Sequence, residues 1–143
     1  MEDEYTYTRG MTDEEVAEVL SAADTGTLAL ADGDDAYAVP MAIHYDGERV
    51  LFHVGDRPDS KKMRFIDATE TATLVVYEAP TPDEAWSVLV EGNLREATPD
   101  ERAAVTDPDD LFVPLRIFGE PIEDVEPALY VLEVDLATGR RVA

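Results

Sequence analysis

Residues 39–54 have the sequence VPMAIHYDGERVLFHV, in which two apolar segments flank Asp46-Gly47. An Asp-Gly pair between alternating apolar residues is among the strongest short-range signals for a β-hairpin. We therefore predict strands over residues 36–45 and 49–54, joined by a two-residue turn.

The predicted register of this hairpin places His44 opposite Arg49 and His53 opposite Pro40. The two histidines would then lie four rows, or about 13 Å, apart at about 3.3 Å per residue, too far to share a metal ion. Pro40 has no N–H to donate to a neighbouring strand, which indicates a sheet edge or a bulge at its row. Two interpretations are open there: simple protection of the edge, or a backbone group left free to meet the edge of a planar ligand.

Working outward from the hairpin, the alternation of apolar residues predicts four more strands, over residues 25–31, 71–77, 86–96 and 128–136. Helices are predicted to begin at Thr12, Ser60 and Thr98, because each can cap a first turn. The third helix is expected to break at Pro108 and resume to Phe118. Six strands with short helices between them predict one domain, residues 1–143, built as a six-stranded antiparallel β-barrel.

The charge of the chain is strongly unbalanced. Thirty-three Asp and Glu residues against eleven Lys and Arg give a formal net charge of −22 on 143 residues. Such a surface repels itself unless salt screens it, and in about 1 M salt the Debye length falls to about 3 Å. We therefore expect a protein of an extreme halophile, and the alternative is an ordinary acidic protein. In either case no nucleic-acid or membrane partner is expected.

Other classes are excluded by composition. The chain has no cysteine, so disulfides and thiolate chemistry are absent, and a metal site is not expected. The first residues, Met1-Glu2-Asp3-Glu4, are acidic where a secretory signal would be basic, which predicts a cytoplasmic protein. No motif of a hydrolase or of a phosphate-binding loop is present, so any reaction is expected to be carried by a cofactor.

The basic residues point to one segment. Nine of the eleven are arginine, and the only two lysines are Lys61 and Lys62, next to the predicted helix start at Ser60. A helix start offers N–H groups and a positive dipole end to an anion, and two ammonium groups beside it would hold a phosphate. The alternative is a solvated helix start that offsets nearby acidic residues.

The order of these segments resembles the pyridoxamine 5′-phosphate oxidase-like superfamily of FMN-binding split barrels, in particular its small 5-nitroimidazole-resistance and flavin-reductase-like members. The resemblance covers roughly residues 12–97. It rests on the order of six short segments: TGTLA (25–29), VPMAIHY (39–45), VLFHV (50–54), SKKM (60–63), ATLVVY (72–77) and VLVEG (88–92).

The resemblance implies a homodimer with two FMN sites at the subunit interface. The strand around residues 38–42 would line the flavin ring through its backbone, residues 52–54 would lie beside it, and the segment from Ser60 would hold the phosphate. The implied cofactor-binding residues are Pro40, Met41, Ala42, Phe52, His53, Val54, Ser60, Lys61, Lys62 and Trp86. No catalytic side chain is assigned: His53 is a candidate proton donor or a stacking residue, and Trp86 is equally explained by packing.

The function implied is that of an FMN-dependent oxidoreductase passing electrons from a reduced nicotinamide to a small acceptor. The alternatives are a non-catalytic flavin, deazaflavin or haem binding or storage protein on the same fold, and a barrel without a ligand. True pyridoxamine phosphate oxidases are longer and carry a carboxy-terminal arginine-rich segment, whereas this sequence ends at Arg140-Arg141-Val142-Ala143. Vitamin B6 oxidation is therefore not expected.

Overall fold

Strands dominate the computed structural model, which describes residues 7–56, 59–105, 111–113 and 126–142. The strands in these ranges are β1 (Thr8–Gly10), β2 (Thr25–Asp32), β3 (Asp35–Tyr45), β4 (Arg49–Asp56), β5 (Thr71–Glu78), β6 (Trp86–Glu96) and β7 (Glu126–Val142). The helices are α1 (Asp13–Ala22), α2 (Lys61–Ala68) and α3 (Pro99–Ala104). None of the helices in the described ranges is long and apolar enough to cross a membrane.

The strands form one antiparallel sheet that closes on itself. Their order is β1-β7-β4-β3-β2-β5-β6, and β6 also pairs with β7, so that six strands complete a barrel. The predicted mainly-β, six-stranded antiparallel barrel is thus confirmed. The short β1, which pairs with residues 140–142 at the end of β7, was not predicted.

All three predicted helix starts are confirmed. Thr12 and Thr98 each accept from the backbone N–H three residues on, and the glutamate at that position bonds back to the cap. Ser60 Oγ accepts from Met63 N at 3.1 Å. The predicted continuation of the third helix to Phe118 lies mostly outside the described residues.

The predicted hairpin register is wrong by two residues. The observed pairs are Tyr45 with Val50 and His44 with Leu51, so His44 does not lie opposite Arg49. The cause is the side chain of Asp46, which accepts from the N–H groups of both Glu48 and Arg49 at 2.9 and 2.7 Å. These bonds move the centre of the turn one residue along the chain, to the pair that begins with Gly47, whose φ is +99°.

Two apolar clusters lie on opposite faces of the sheet. The inner cluster fills the barrel, and its largest fully buried side chains include Phe52, Phe65 and Leu20. The outer cluster covers β3, β4 and β7 where α3 and the segment around residue 112 pack on them, and it contains Ala42, Leu51, Ala97, Phe112, Leu129 and Val131. Alternate residues of β3 and β4 therefore face different environments.

The seam between β6 and β7 closes the barrel. The last strand was predicted over residues 128–136, but it continues to Val142 and pairs with β6 from Glu96 back to Trp86. The register shifts between Glu91 and Gly92, where a β-bulge lets the two strands curve around the barrel. A Cβ on Gly92 would collide with the carbonyl oxygen of Glu133, so only glycine fits there.

Candidate ligand site at the split of the barrel

The barrel is open between β3 and β4. β3 pairs with β2 along residues 35–42, but its ladder to β4 covers only residues 43–45. Beyond that point β4 no longer pairs with β3, while its other edge pairs with β7 along the whole strand, with His53 opposite Leu129. The predicted pairing of His53 with Pro40 is therefore wrong. In the described chain, one edge of β3 over residues 36–42 thus has no strand beside it.

This free edge includes Pro40, Met41 and Ala42, three of the residues predicted to bind a ligand. Pro40 pairs with Thr27 on its β2 side and is exposed, which agrees with the prediction of a sheet edge at its row. The backbone groups along such an edge are available to a ligand with a planar, hydrogen-bonding rim.

The side chains of the predicted residues divide between the two faces of the sheet. Met41, Phe52 and Val54 point into the barrel, where they are at most 3% exposed, so they can meet a ligand only through their backbone. Ala42 and His53 lie on the outer face. The His53 ring is half-buried and stacks on Phe112, with centroids 5.5 Å apart and 21° between the planes.

The start of α2 carries the predicted anion site. Ser60 is the N-cap, and its carbonyl accepts the first intrahelical bond, from Arg64 N at 3.0 Å. Although the chain has 33 acidic residues, none lies in the first turn of α2. Lys61 is exposed, whereas Lys62 is only 7% exposed. The helix dipole and both lysines thus contribute positive charge to one helix start.

These features belong to a chain whose family can be recognised from its sequence. A family model described as pyridoxamine 5′-phosphate oxidase matches residues 12–141. The chain belongs to the pyridoxamine 5′-phosphate oxidase family. The predicted resemblance is therefore confirmed, and the match extends past residue 97, where the recognisable segments ended. No curated protein sequence is significantly similar to the chain.

Solved structures share the fold of this member of the pyridoxamine 5′-phosphate oxidase family. An FAD-binding protein of Mesorhizobium loti is 19% identical, with a TM-score of 0.70 over 95% of this chain and 99% of that one. An FAD-binding protein of Mycobacterium smegmatis is 15% identical, with a TM-score of 0.66 over 93% and 96%. A candidate 5-nitroimidazole antibiotic resistance protein of Bacteroides thetaiotaomicron is 15% identical, with a TM-score of 0.67 over 99% and 94%. At these identities the likeness shows the fold alone.

Trp86 does not join the other predicted residues within the described chain of this family member. It is the first residue of β6, between Glu78 of β5 and Arg141 of β7, and it packs on the inner cluster. In the sheet, β2 and β5 separate β6 from β3. Packing accounts for Trp86 within the chain.

A second group of residues was missed by the sequence analysis. A cavity of about 450 Å³ lies beside the hairpin turn, between His44, Leu51 and α3. At its wall Glu101 binds Arg49 and Arg95, and Arg95 also binds Glu133 at 2.7 Å. The bonds from Arg95, followed by the Thr98 N–H, hold the pKa of Glu101 well below its usual range.

The only sequence signal for this group is the capping box, which identifies Glu101 but not its two arginine partners. The cavity lies at the turn end of β4, and α2 follows the other end of that strand. The carboxylates that line it are already paired with Arg49, apart from Asp100, for which no described partner exists. Among the described residues, no three acidic or histidine side chains converge as metal ligands.

Proposed function

We propose that this chain is an FMN-binding oxidoreductase that passes electrons from a reduced nicotinamide through the flavin to a small acceptor. One observation carries the proposal: the lysine-bearing start of α2 lies beside the part of β3 that has the open edge, with Lys61 Nζ 5.1 Å from the ring of Tyr37. Solved structures of the same fold include proteins named as FAD-binding and as FAD- and haem-binding.

The donors at the start of α2 suit the phosphate of FMN. A phosphate dianion prefers charge-assisted donors, and a capped helix start with two ammonium groups and no acidic residue in its first turn supplies them. Ser60 Oγ accepts from Met63 N and keeps its own hydrogen to donate. The chemistry of this donor set therefore fits the group.

The free edge of β3 suits the polar rim of the flavin ring. Backbone N–H and C=O groups over residues 38–42 would fix the orientation of the ring, since no strand of the described ranges pairs with that edge. When bound, the flavin supplies the hydride and electron transfer. The contribution of the chain is to place the ring, to keep one face of it dry and to bond its rim.

The outer face of the sheet supports assembly as a homodimer with the cofactor at the subunit interface. One row across five strands is uncharged: Pro40, Thr27, Val75, Leu89 and Thr138. On the same face Tyr77, Leu89 and Leu136 are 65%, 42% and 53% exposed. Since two copies with a charge of −22 repel each other elsewhere, this uncharged row is where a second copy meets the least repulsion.

The cofactor is tested by titrating the purified protein with FMN in molar KCl and following flavin fluorescence. Saturable quenching is expected, with affinity at least tenfold weaker, or about 1.4 kcal/mol, in the Lys61→Ala/Lys62→Ala variant. Arg102→Ala, which removes a cation from α3, is the matched control and should bind FMN normally. Absence of quenching in the wild-type protein would refute the cofactor, and deazaflavin and haem would be titrated next.

Turnover is tested separately from binding. The FMN-loaded protein should oxidise a reduced nicotinamide when a quinone or a nitroaromatic compound is supplied as acceptor. A protein that binds FMN tightly and oxidises no nicotinamide would be a flavin store rather than an oxidoreductase.

A further inference from the structure

The start of α2 lies against a pair of aromatic rings. The centroids of Tyr37 and Phe65 are 5.1 Å apart, with the planes tilted by 32°. The Lys61 Nζ lies 5.1 Å from the centroid of Tyr37 and 5.9 Å from that of Phe65. Arg64 also covers Phe65, at 4.7 Å. Both exposed cations of the first turn therefore rest on this ring pair.

The two rings reach the helix from different elements. Phe65 belongs to α2 itself and is 1% exposed, whereas Tyr37 comes from β3, in the part of that strand with the free edge. Tyr37 is half-buried and packs against the inner cluster, so its ring has a fixed position. The contact between Tyr37 and Lys61 thus ties the anion site to the strand that flanks the split.

A ring in this place restricts a flexible side chain. A lysine ammonium is carried on a flexible chain of four carbons, and the side chain loses much rotamer freedom when the ammonium binds a ligand. A ring face within about 6 Å attracts the cation and favours the rotamers that keep it there, by about two- to fivefold at an exposed site. Part of the ordering that phosphate binding requires is then already present in the free protein.

We propose that Tyr37 is a positioning residue, whose ring holds the Lys61 ammonium at the start of α2 and so raises the preference of the site for FMN over riboflavin. This inference rests on the proposed function, because it assumes that α2 binds the flavin phosphate. Riboflavin has the same ring but no phosphate, so its dissociation constant reports the contacts of the ring and not those of the phosphate with Lys61. The ratio of the two dissociation constants is therefore the quantity that Tyr37 controls.

The test measures the dissociation constants of FMN and riboflavin by fluorescence quenching in the full-length protein. Tyr37→Leu should lower the preference for FMN by about two- to fivefold, while Tyr37→Phe, which keeps the ring face, should leave it unchanged. Lys61→Met should also lower the preference. In the Lys61→Met background, Tyr37→Leu should have no further effect, because the cation it positions is gone.

Controls separate positioning from packing. Tyr45→Leu removes another half-buried tyrosine that packs on the inner cluster, and it should leave the ratio unchanged. If Tyr37→Leu does not fold, Tyr37→Met fills the space with a flexible apolar chain and carries the same prediction.

The outcomes distinguish the inference from the proposed function. A wild-type preference for FMN that survives Tyr37→Leu or Tyr37→Met, or a loss that persists in the Lys61→Met background, would overturn the role of Tyr37 alone. Equal affinity for FMN and riboflavin in the wild-type protein would overturn the phosphate site, and the role of Tyr37 with it.

Discussion

The substitution Gly92→Ala tests the seam that closes the barrel. The added Cβ would collide with the carbonyl oxygen and carbon of Glu133, which belong to the backbone of β7 and cannot rotate away. Relief requires β6 and β7 to separate at the bulge, where the register shifts and Gly92 lies opposite Val134. Overpacking of a well-packed interior costs about 1–3 kcal/mol. A backbone neighbour places this site at the upper end, at about 3 kcal/mol.

The assay is thermal and urea unfolding in molar KCl, with Gly10→Ala as the matched control. Gly10 is exposed in the short β1, and the nearest atom to its added Cβ is an arginine nitrogen 3.9 Å away. With about 3–5 °C per kcal/mol for a chain of this length, Gly92→Ala should lower Tm by about 10 °C or more, and Gly10→Ala by less than about 3 °C. Equal stability of the two variants would show that the seam can widen freely, and would refute the account of the bulge.

Three further predictions concern charge and assembly. Arg95 holds the pKa of Glu101 below its unfolded value, so ionised Glu101 stabilises the fold above about pH 4.5 and loses that contribution as the pH falls through its folded pKa. Glu101→Gln should therefore unfold at a lower Tm than wild type at pH 7, with a smaller difference in Tm at pH 2. Dialysis from molar to about 0.1 M KCl, where the Debye length reaches about 10 Å, should reduce the circular dichroism signal or increase the elution volume, and a protein unchanged by it would contradict the halophilic assignment. Leu89→Asp should convert the proposed dimer to a monomer, as measured by light scattering, whereas Ser21→Asp on the exposed face of α1 should leave it a dimer. Equal masses for wild type and Leu89→Asp would contradict the proposed interface.

The elements that local chemistry determines were predictable from the sequence. Each helix start depends on a hydroxyl and a backbone N–H three residues apart, and Thr12, Ser60 and Thr98 were all identified correctly. The lysine pair is visible for the same reason, because the scarcity of lysine elsewhere needs no structure to be noticed. The start of α2 could thus be predicted as an anion site before any fold was known.

The hairpin register was not predictable from the Asp-Gly pair alone. That pair is compatible with two turns, and the choice depends on whether the Asp46 side chain accepts from N–H groups after the turn. A shift of two residues leaves every side chain on its predicted face, so the amphipathic pattern carries no information about it. The pattern also gives no sign of β1, whose three residues are all exposed.

The split itself depends on contacts that only the assembled sheet brings together. β4 pairs with β7 along its whole length, and Leu129 and Val131 of β7 are buried in the outer cluster with Leu51. That cluster also contains Phe112 of the segment after α3, and its burial stabilises β4 against β7, whereas the ladder from β4 to β3 ends at Phe52. Phe112 and Leu129 lie more than sixty positions from Leu51, so the local sequence of the hairpin does not show where the ladder between β3 and β4 ends. This is why the sequence pointed to the anion site directly but indicated the open edge only through Pro40, the one residue of that strand that cannot donate.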